Sequence, residues 1–252
     1  MNSAKISIIT ATYNSLPYIR ETYDSIVQQT YKNWEWVVTD DCSNDGTYEY
    51  LLELAASNEK IKISRNEHNS GAAVSRNKSL SAASGDFIAF IDSDDLWTTN
   101  KLELQLSVML NKKHDFTFTA YELINDKSQS LNKVVDSKQI NAVDYQDMLK
   151  KQATLGCSTV MLRKAAFSDL SMPLLLTGQD YALWLKLLKM GCCAYPINEV
   201  LMKYRVLPNS ISRNKYKKAK RQWQIYRELE KLSLLKCCVC FGFYAWRAVF
   251  RK

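Results

Sequence analysis

The strongest constraint on the fold is an alternation in the first ninety-one residues. Four short runs rich in β-branched and aromatic residues, Ile6–Thr10, Trp34–Thr39, Ile61–Ser64 and Phe87–Ile91, are separated by stretches of helical periodicity at Leu16–Gln29, Thr47–Ser57 and Ala72–Ala83. Short, continuously apolar strands linked by helix-length crossovers are the pattern of a mainly parallel sheet covered on both faces. The order βαβαβαβ therefore predicts an α/β chain. Ligands on such sheets bind beyond the carboxyl ends of the strands, so chemistry is expected in the segments that follow these runs.

The second half is less regular. Leu102–Leu110 and Tyr181–Lys189 read as helices, Phe116–Tyr121 and Thr159–Arg163 as strands, and the polar stretch Asn125–Ser137 as a surface loop. A mixed extension of the sheet accommodates them. From Asn214 a basic helix is expected, with Ile225, Leu229 and Leu232 on one face, followed by the apolar-aromatic run Cys237–Trp246 between Lys236 and Arg247. That run is too short to span a bilayer. It either lies in a membrane interface or docks on the domain.

Charge is unevenly placed. The chain carries +8, yet Lys203 to Lys252 holds 14 Lys and Arg against Glu228 and Glu230, a local +12 that leaves −4 for the remainder. The basic character belongs to the tail. The seven cysteines are odd in number and form no CxxC pair, and His68 and His114 are the only histidines, so reduced thiols rather than a zinc site are expected. The six-residue apolar-rich stretch near the N-terminus is too short for an export signal, and no run of about 18–20 apolar residues reads as a spanning helix. P-loop, dinucleotide-binding and nucleophile-elbow motifs are absent.

Three places hold candidate chemistry. Asp92-Ser93-Asp94-Asp95 sets three carboxylates at a strand's carboxyl edge, where like charges repel unless a cation or polar ligand lies between them. In an extended segment Asp92 and Asp94 point the same way, and oxygen ligands favour Mg²⁺ or Mn²⁺; the competing reading is an acidic turn capping the next helix. Asp40-Asp41 ends an earlier strand, suited to a base or ribose, or to an Asx turn beside Asn44-Asp45-Gly46. Asp180 opens a helix, where it reads as an N-cap. Asn69-Ser70-Gly71 precedes a helix and offers backbone donors to an anion, with Arg76 on its second turn reaching phosphate or lying on a solvated face.

Taken in order, Ile8–Asn14, Val37–Thr47, Gly71–Asn77, Phe90–Trp97, Gln179–Leu185 and Tyr204-Arg205 followed by Asn209–Ser212 resemble the family 2 glycosyltransferases over about residues 5 to 215. The resemblance implies a GT-A fold: a mainly parallel twisted sheet flanked by helices, here with a C-terminal helical basic tail. It divides the chain into a domain over 1–213, with a nucleotide-sugar half (1–98) and an acceptor half (99–213), and a tail over 214–252 for membrane-interface attachment. By the same resemblance Ala11 and Tyr13 lie against uracil and Asp41 bonds it. Asn14, Arg76, Asp92 and Ser93 complete the nucleotide-sugar site. Asp94 ligates the metal directly, with Asp92 as ribose contact or in the metal's hydration shell. Asp180 becomes the general base rather than a cap, and Trp97, Gln179 and Tyr181 lie on the acceptor side.

The chain departs from the family pattern in two places. Gln179 stands where many members have Glu, and Leu207 lies near where many have a metal-binding His. A QxxRW-type signature is missing, which implies transfer of single sugars. Phe116–Tyr121, Gly156–Met161 and Gln222-Trp223 look like bacterial enzymes that build O-antigen, capsule or teichuronic-acid repeats on undecaprenyl diphosphate. The expectation is then an inverting, Mn²⁺- or Mg²⁺-dependent transfer of one hexose from a UDP-sugar to a lipid-diphosphate-linked saccharide. UDP-glucose onto a HexNAc 3-hydroxyl, forming a β1,3 bond, is the specific form. The enzyme would sit peripherally on the cytoplasmic face of the bacterial inner membrane, its tail on anionic lipid, with no nucleic acid as partner. The rivals are a nucleic-acid binder using the basic tail and a sugar nucleotidyltransferase.

Overall fold

A computed structural model describes residues 4–207 and 215–250 of the chain. Strands β1 (Ile6–Thr12), β2 (Trp34–Asp40), β3 (Ile61–Arg65) and β4 (Phe87–Phe90) alternate with helices α1 (Leu16–Val27), α2 (Thr47–Ser57) and α3 (Ala72–Ala82) and pair in parallel. Every residue of β2 is buried, as is all of β1 but Ala11, because helices cover both faces. The chain continues through β5 (Leu96–Trp97), α4 (Lys101–Lys112), β6 (Phe116–Ile124), β7 (Ser130–Val135), α5 (Tyr145–Leu149), β8 (Met161–Arg163), α6 (Gln179–Leu188) and β9 (Tyr195–Arg205). The strand order β3-β2-β1-β4-β8-β6-β9-β5, with β7 beside β6, makes one mixed sheet. The α/β expectation holds. β1 lies between β2 and β4, so the winding direction reverses there, and a crevice opens outside the carboxyl ends of those strands.

One buried carboxylate fastens the opposite end of the sheet. Glu35 on β2 accepts from Ser7 Oγ (2.6 Å) and Ser84 N (2.7 Å) and pairs with Lys5 (2.7 Å) and Lys62 (2.9 Å). Those partners outweigh burial and hold its carboxyl well below the usual range. Gly85 passes so close that an added Cβ would stand 2.6 Å from Ser7 N. Only glycine fits there.

Two expectations change. Residues 125–137 are not all loop: β7 pairs antiparallel with β6, Tyr121 opposite Val135 and Ile124 opposite Ser130. As an edge strand exposed along most of its length it has no apolar face to show in sequence. The tail also departs from a simple appendage. Helix α7 (Lys215–Gln224) runs into a π turn at Ile225–Leu229 and then α8 (Leu234–Phe250), and Ile225, Tyr226, Leu232, Cys237 and Cys240 are buried in the same core cluster as Phe90, Phe116 and Trp184. Tyr226 donates its hydroxyl to Leu149 C=O, and Tyr145 bonds Glu230 at 2.6 Å. Of the two readings of this segment, docking describes its inner face, and the division at residue 213 runs through a shared core. Asn214 and the Asn209–Ser212 part of the late motif lie outside the described residues.

Candidate active site

Four segments meet at the crevice. The first follows β1. Tyr13 projects its ring outward with about half its surface exposed. Asn14 adopts a left-handed φ of 48° and is fixed by its N–H to Ser43 Oγ (2.9 Å) and its Oδ1 to Asn44 N (3.0 Å). Ser15 Oγ meets Ser93 Oγ at 2.7 Å, tying this loop to the acidic turn. Ala11, partly exposed, lies beside Thr39 in the β1–β2 register.

Asp41 follows β2. Its Oδ1 accepts from Asn66 Nδ2 (2.7 Å) and Ser70 N (2.8 Å), and its Oδ2 from Gly71 N (2.7 Å). A carboxylate holding three donors braces the loop that enters α3, and one lone pair of Oδ2 remains for a ligand. Gly71 takes a φ of 90° to make the turn, and the Asx geometry expected nearby belongs to Asp45, whose Oδ1 accepts from Thr47 N at 3.0 Å. The backbone donors of Ser70 and Gly71 are thus committed to Asp41 rather than open to an anion.

Helix α3 carries Arg76 inward. It is buried, not on a solvated face, and its Nη2 contacts Asp92 Oδ1 at 2.5 Å. Burial opposes its charge, yet Asp92 and Asp180 hold the guanidinium protonated. Nε and Nη1 are buried without a hydrogen-bond partner among the described residues. Two strong donors are left over.

The acidic turn follows β4, and its three aspartates differ. Asp92 is held by Arg76, and its N–H donates to Ser158 Oγ at 3.0 Å. Asp95 is fully buried and structural: it accepts from Ser158 Oγ (2.6 Å) and Arg205 N (3.0 Å), while its carbonyl accepts from Thr22 Oγ1 (3.0 Å). Asp94 lies between them, its carboxyl pushed up to about 6 by burial and by Asp92 against the pull of Arg205 and Arg76. A half-buried carboxylate crowded by another is the arrangement a cation relieves. The donor set is oxygen only, fitting Mg²⁺ or Mn²⁺ bound through one or two carboxylates plus substrate phosphates. Among the described residues no group of three or more His, Cys, Asp or Glu is arranged to hold a metal ion.

Arg205, at the end of β9, holds the turn in place. Its Nε donates to Asp94 C=O (2.7 Å), Nη1 to Ser128 Oγ (2.8 Å) and Nη2 to Glu21 Oε2 (2.9 Å). The motif Tyr204-Arg205 was visible in sequence, but its role as a brace for the acidic turn was not. Ser158, which links Asp92 to Asp95, carried no signal beyond the Gly156–Met161 resemblance.

Asp180 arrives on α6. Gly178, with φ of 74°, is the N-cap, so the capping reading of Asp180 fails. Trp184 lies one turn further on the same helix face. It packs against Phe90 (5.5 Å) and Phe116 (5.4 Å) and donates to Leu155 C=O (3.1 Å), fixing Asp180 over the end of β4. Burial raises the Asp180 carboxyl, opposed by Arg76 and the Tyr181 N–H, with Asp92 raising it and Lys151 lowering it. Asp180 is thus coupled electrostatically to Arg76, Asp92 and Lys151. Gln179 is buried, its Oε1 without a hydrogen-bond partner among the described residues. Trp97 and Tyr181 are not brought to the mouth: Trp97 donates to Ser158 C=O at 2.8 Å and Tyr181 to Met148 C=O at 3.0 Å, both rings within the cores. As acceptor contacts they are corrected to supports of the site.

With this geometry in view, the profile of glycosyl transferase family 2 matches residues 7–171. TuaG of Bacillus subtilis (strain 168), named for teichuronic acid biosynthesis, is 42% identical over 98% of this chain and 97% of its own. WfgD of Escherichia coli, a UDP-Glc:alpha-D-GlcNAc-diphosphoundecaprenol beta-1,3-glucosyltransferase, is 41% identical over 89% of this chain and 86% of its own. The structure of S. aureus TarS 1-349 in complex with UDP-GlcNAc superposes with a TM-score of 0.76 at 21% identity, over 98% of this chain and 73% of that one, a likeness of fold. Sheet order, acidic turn and sequence agree, and the chain belongs to glycosyltransferase family 2, with a GT-A fold.

Proposed function

We propose that the chain transfers one glucose from UDP-glucose to the 3-hydroxyl of a GlcNAc carried on undecaprenyl diphosphate, forming a β1,3 bond in bacterial surface polysaccharide synthesis. The observation that carries the chemistry is the Arg76–Asp92 ion pair at 2.5 Å, with Asp180 among the charges acting on Arg76 and with Nε and Nη1 buried without partners among the described residues. Buried donors of this kind suit the acceptor oxygens of a sugar nucleotide. The WfgD likeness supplies the specific donor and acceptor, and the UDP-GlcNAc bound by TarS supports a uridine nucleotide.

In this reading residues 1–98 hold the nucleotide sugar and residues 99–213 the acceptor. Tyr13 and Ala11 flank uracil, with Asn14 fixing their loop. The free lone pair of Asp41 reaches the base, and Ser93 sits where the β1 loop meets the acidic turn. Arg76 and Asp92 take the ribose-to-sugar stretch. Asp94, with Asp92 near its hydration shell, would hold Mn²⁺ or Mg²⁺, which neutralises the departing diphosphate. Asp180 accepts the proton of the attacking hydroxyl. The acceptor oxygen bonds to the anomeric carbon as the bond to the diphosphate breaks, UDP leaving with the electron pair. A single displacement inverts the α-linked donor. Membership of the glycosyltransferases speaks against both the nucleic-acid binder and the nucleotidyltransferase readings. On this reading the enzyme works at the cytoplasmic face of the membrane, where a lipid-linked acceptor would meet a nucleotide-sugar donor.

The test incubates the protein and Mn²⁺ with a panel of UDP-sugars and a synthetic lipid-diphosphate GlcNAc, with products assigned by mass and NMR. A β1,3-glucoside is expected. An α-linked product would overturn inversion, and preference for another sugar would overturn the donor.

A further inference from the structure

Helix α8 has two faces, one packed against the fold and one largely exposed. Cys237, Cys240, Phe241 and Tyr244, spaced at three and four residues, pack inward. Leu234, Leu235, Cys238, Val239, Gly242, Phe243 and Trp246 recur at the complementary spacing and face solvent. Leu235 is 79% exposed, Trp246 58%, Val239 49% and Phe243 41%. The stripe contains no charged residue and lines an apolar cleft from Cys238 to Trp246. The helix is about 25 Å long at 1.5 Å per residue, so it can lie on a bilayer but not cross it.

We propose that this outer stripe of α8 inserts into the headgroup boundary of a bilayer bearing anionic phospholipids. Charge identifies the occupant. Residues 215–250 carry nine Lys and Arg against Glu228 and Glu230, with Lys220, Arg227 and Lys231 exposed. An apolar face attached to so basic a segment is complementary to anionic lipid. A second copy of the chain would bring two such segments together and oppose itself. The inner face stays docked through Tyr226 and Cys240, so the domain is held against the surface rather than tethered at a distance. The transfer reaction explains why a bilayer lies nearby, but the attachment is measured without donor or acceptor, so either reading can fail alone.

Full-length protein is floated with vesicles of phosphatidylglycerol and phosphatidylethanolamine, and with phosphatidylcholine alone. Recovery with the anionic vesicles, at least about tenfold weaker on phosphatidylcholine and reduced by salt, is expected. Trp246 supplies a spectroscopic readout, because Trp34, Trp36, Trp97 and Trp184 are buried and Trp223 is half-buried against Phe241 on the inner face: brominated acyl chains should quench the protein's fluorescence, and Trp246→Phe should remove most of that quenching. Phe243→Glu and Leu235→Glu should each lower vesicle affinity about tenfold or more while leaving the melting temperature and transfer to a water-soluble short-chain acceptor unchanged. Lys220→Glu with Lys231→Glu should weaken binding about tenfold and flatten its salt dependence. Equal flotation with neutral vesicles, undiminished binding by both stripe variants, or a solution dimer split by those variants without any vesicle binding overturns the proposal.

Discussion

Replacing Arg205 by Lys retains the charge and most of the stem while removing the planar fork. In the native chain three directions are served at once: the Asp94 carbonyl at 2.7 Å, Ser128 Oγ at 2.8 Å and Glu21 at 2.9 Å. An ammonium places its donors on one atom and cannot span that arc. If it keeps one partner, two are abandoned. A buried acceptor left unsatisfied costs about 1–3 kcal/mol, whereas Glu21, with a side chain 47% exposed, regains water and adds less than about 1 kcal/mol. The sum is about 1–4 kcal/mol, which in a chain of this size lowers the melting temperature by about 2–16 °C. Function should suffer more, because the lost bond to the Asp94 carbonyl is the one that sets the acidic turn. A shift of about 1 Å in a reacting group costs about a hundredfold in rate. Thermal unfolding and steady-state transfer measure the two effects separately. An Arg205→Lys protein that melts within about 1 °C of the native one and transfers at its rate would refute the bracing role.

Asp180→Asn should abolish turnover by about a thousandfold or more while UDP-sugar affinity, measured by calorimetry, stays within about twofold of native. Because burial raises the Asp180 carboxyl, native transfer should fall on acidification at a pH above the ordinary aspartate value of about 4. Lys101 is fully buried, bonds Gln105 at 2.8 Å, and is lowered by burial from 10.5 to about 7. Between those values the unfolded chain binds the extra proton, so stability should rise with pH across that window. Lys101→Met should stabilise by about 2–4 kcal/mol at pH 6, with the gain vanishing by about pH 11, as read from denaturant unfolding. Chelation with EDTA should stop transfer, with Mn²⁺ or Mg²⁺ restoring it and the ligand-free melting temperature unmoved, since Asp92 and Asp95 are already held by Arg76, Ser158 and Arg205.

Much of the fold was legible because parallel strands buried on both faces are mostly apolar along their length, as in Phe87–Phe90. The acidic turn and Asp180 were legible as well, since carboxylates at strand ends and helix starts stand out against apolar flanks. The structural role of Asp95 and the bracing of the turn were not. Asp92, Asp94 and Asp95 are chemically identical in sequence, and what separates them is Arg76 on α3, Ser158 in a 3₁₀ turn and the backbone of Arg205, all distant along the chain. Trp97 and Tyr181 misled for the same reason: an aromatic beside a motif looks the same whether its ring faces ligand or core. β7 escaped because an exposed edge strand has no pattern to show, and β9 because register shifts around Ala120 interrupt its pairing with β6.

The bond from the Arg205 backbone to Asp95 spans 110 positions, and this sets an order of events during synthesis. The Asp92–Asp95 turn leaves the ribosome well before β9, so for that interval the parallel half can gather around β1 with its acidic turn unfixed. Competence is acquired only when the last strand pairs with β6 and β5, a long-range closure that comes late on topological grounds. A nascent chain that stalls before residue 205 would therefore carry a nearly complete sheet and an acidic turn still without its brace.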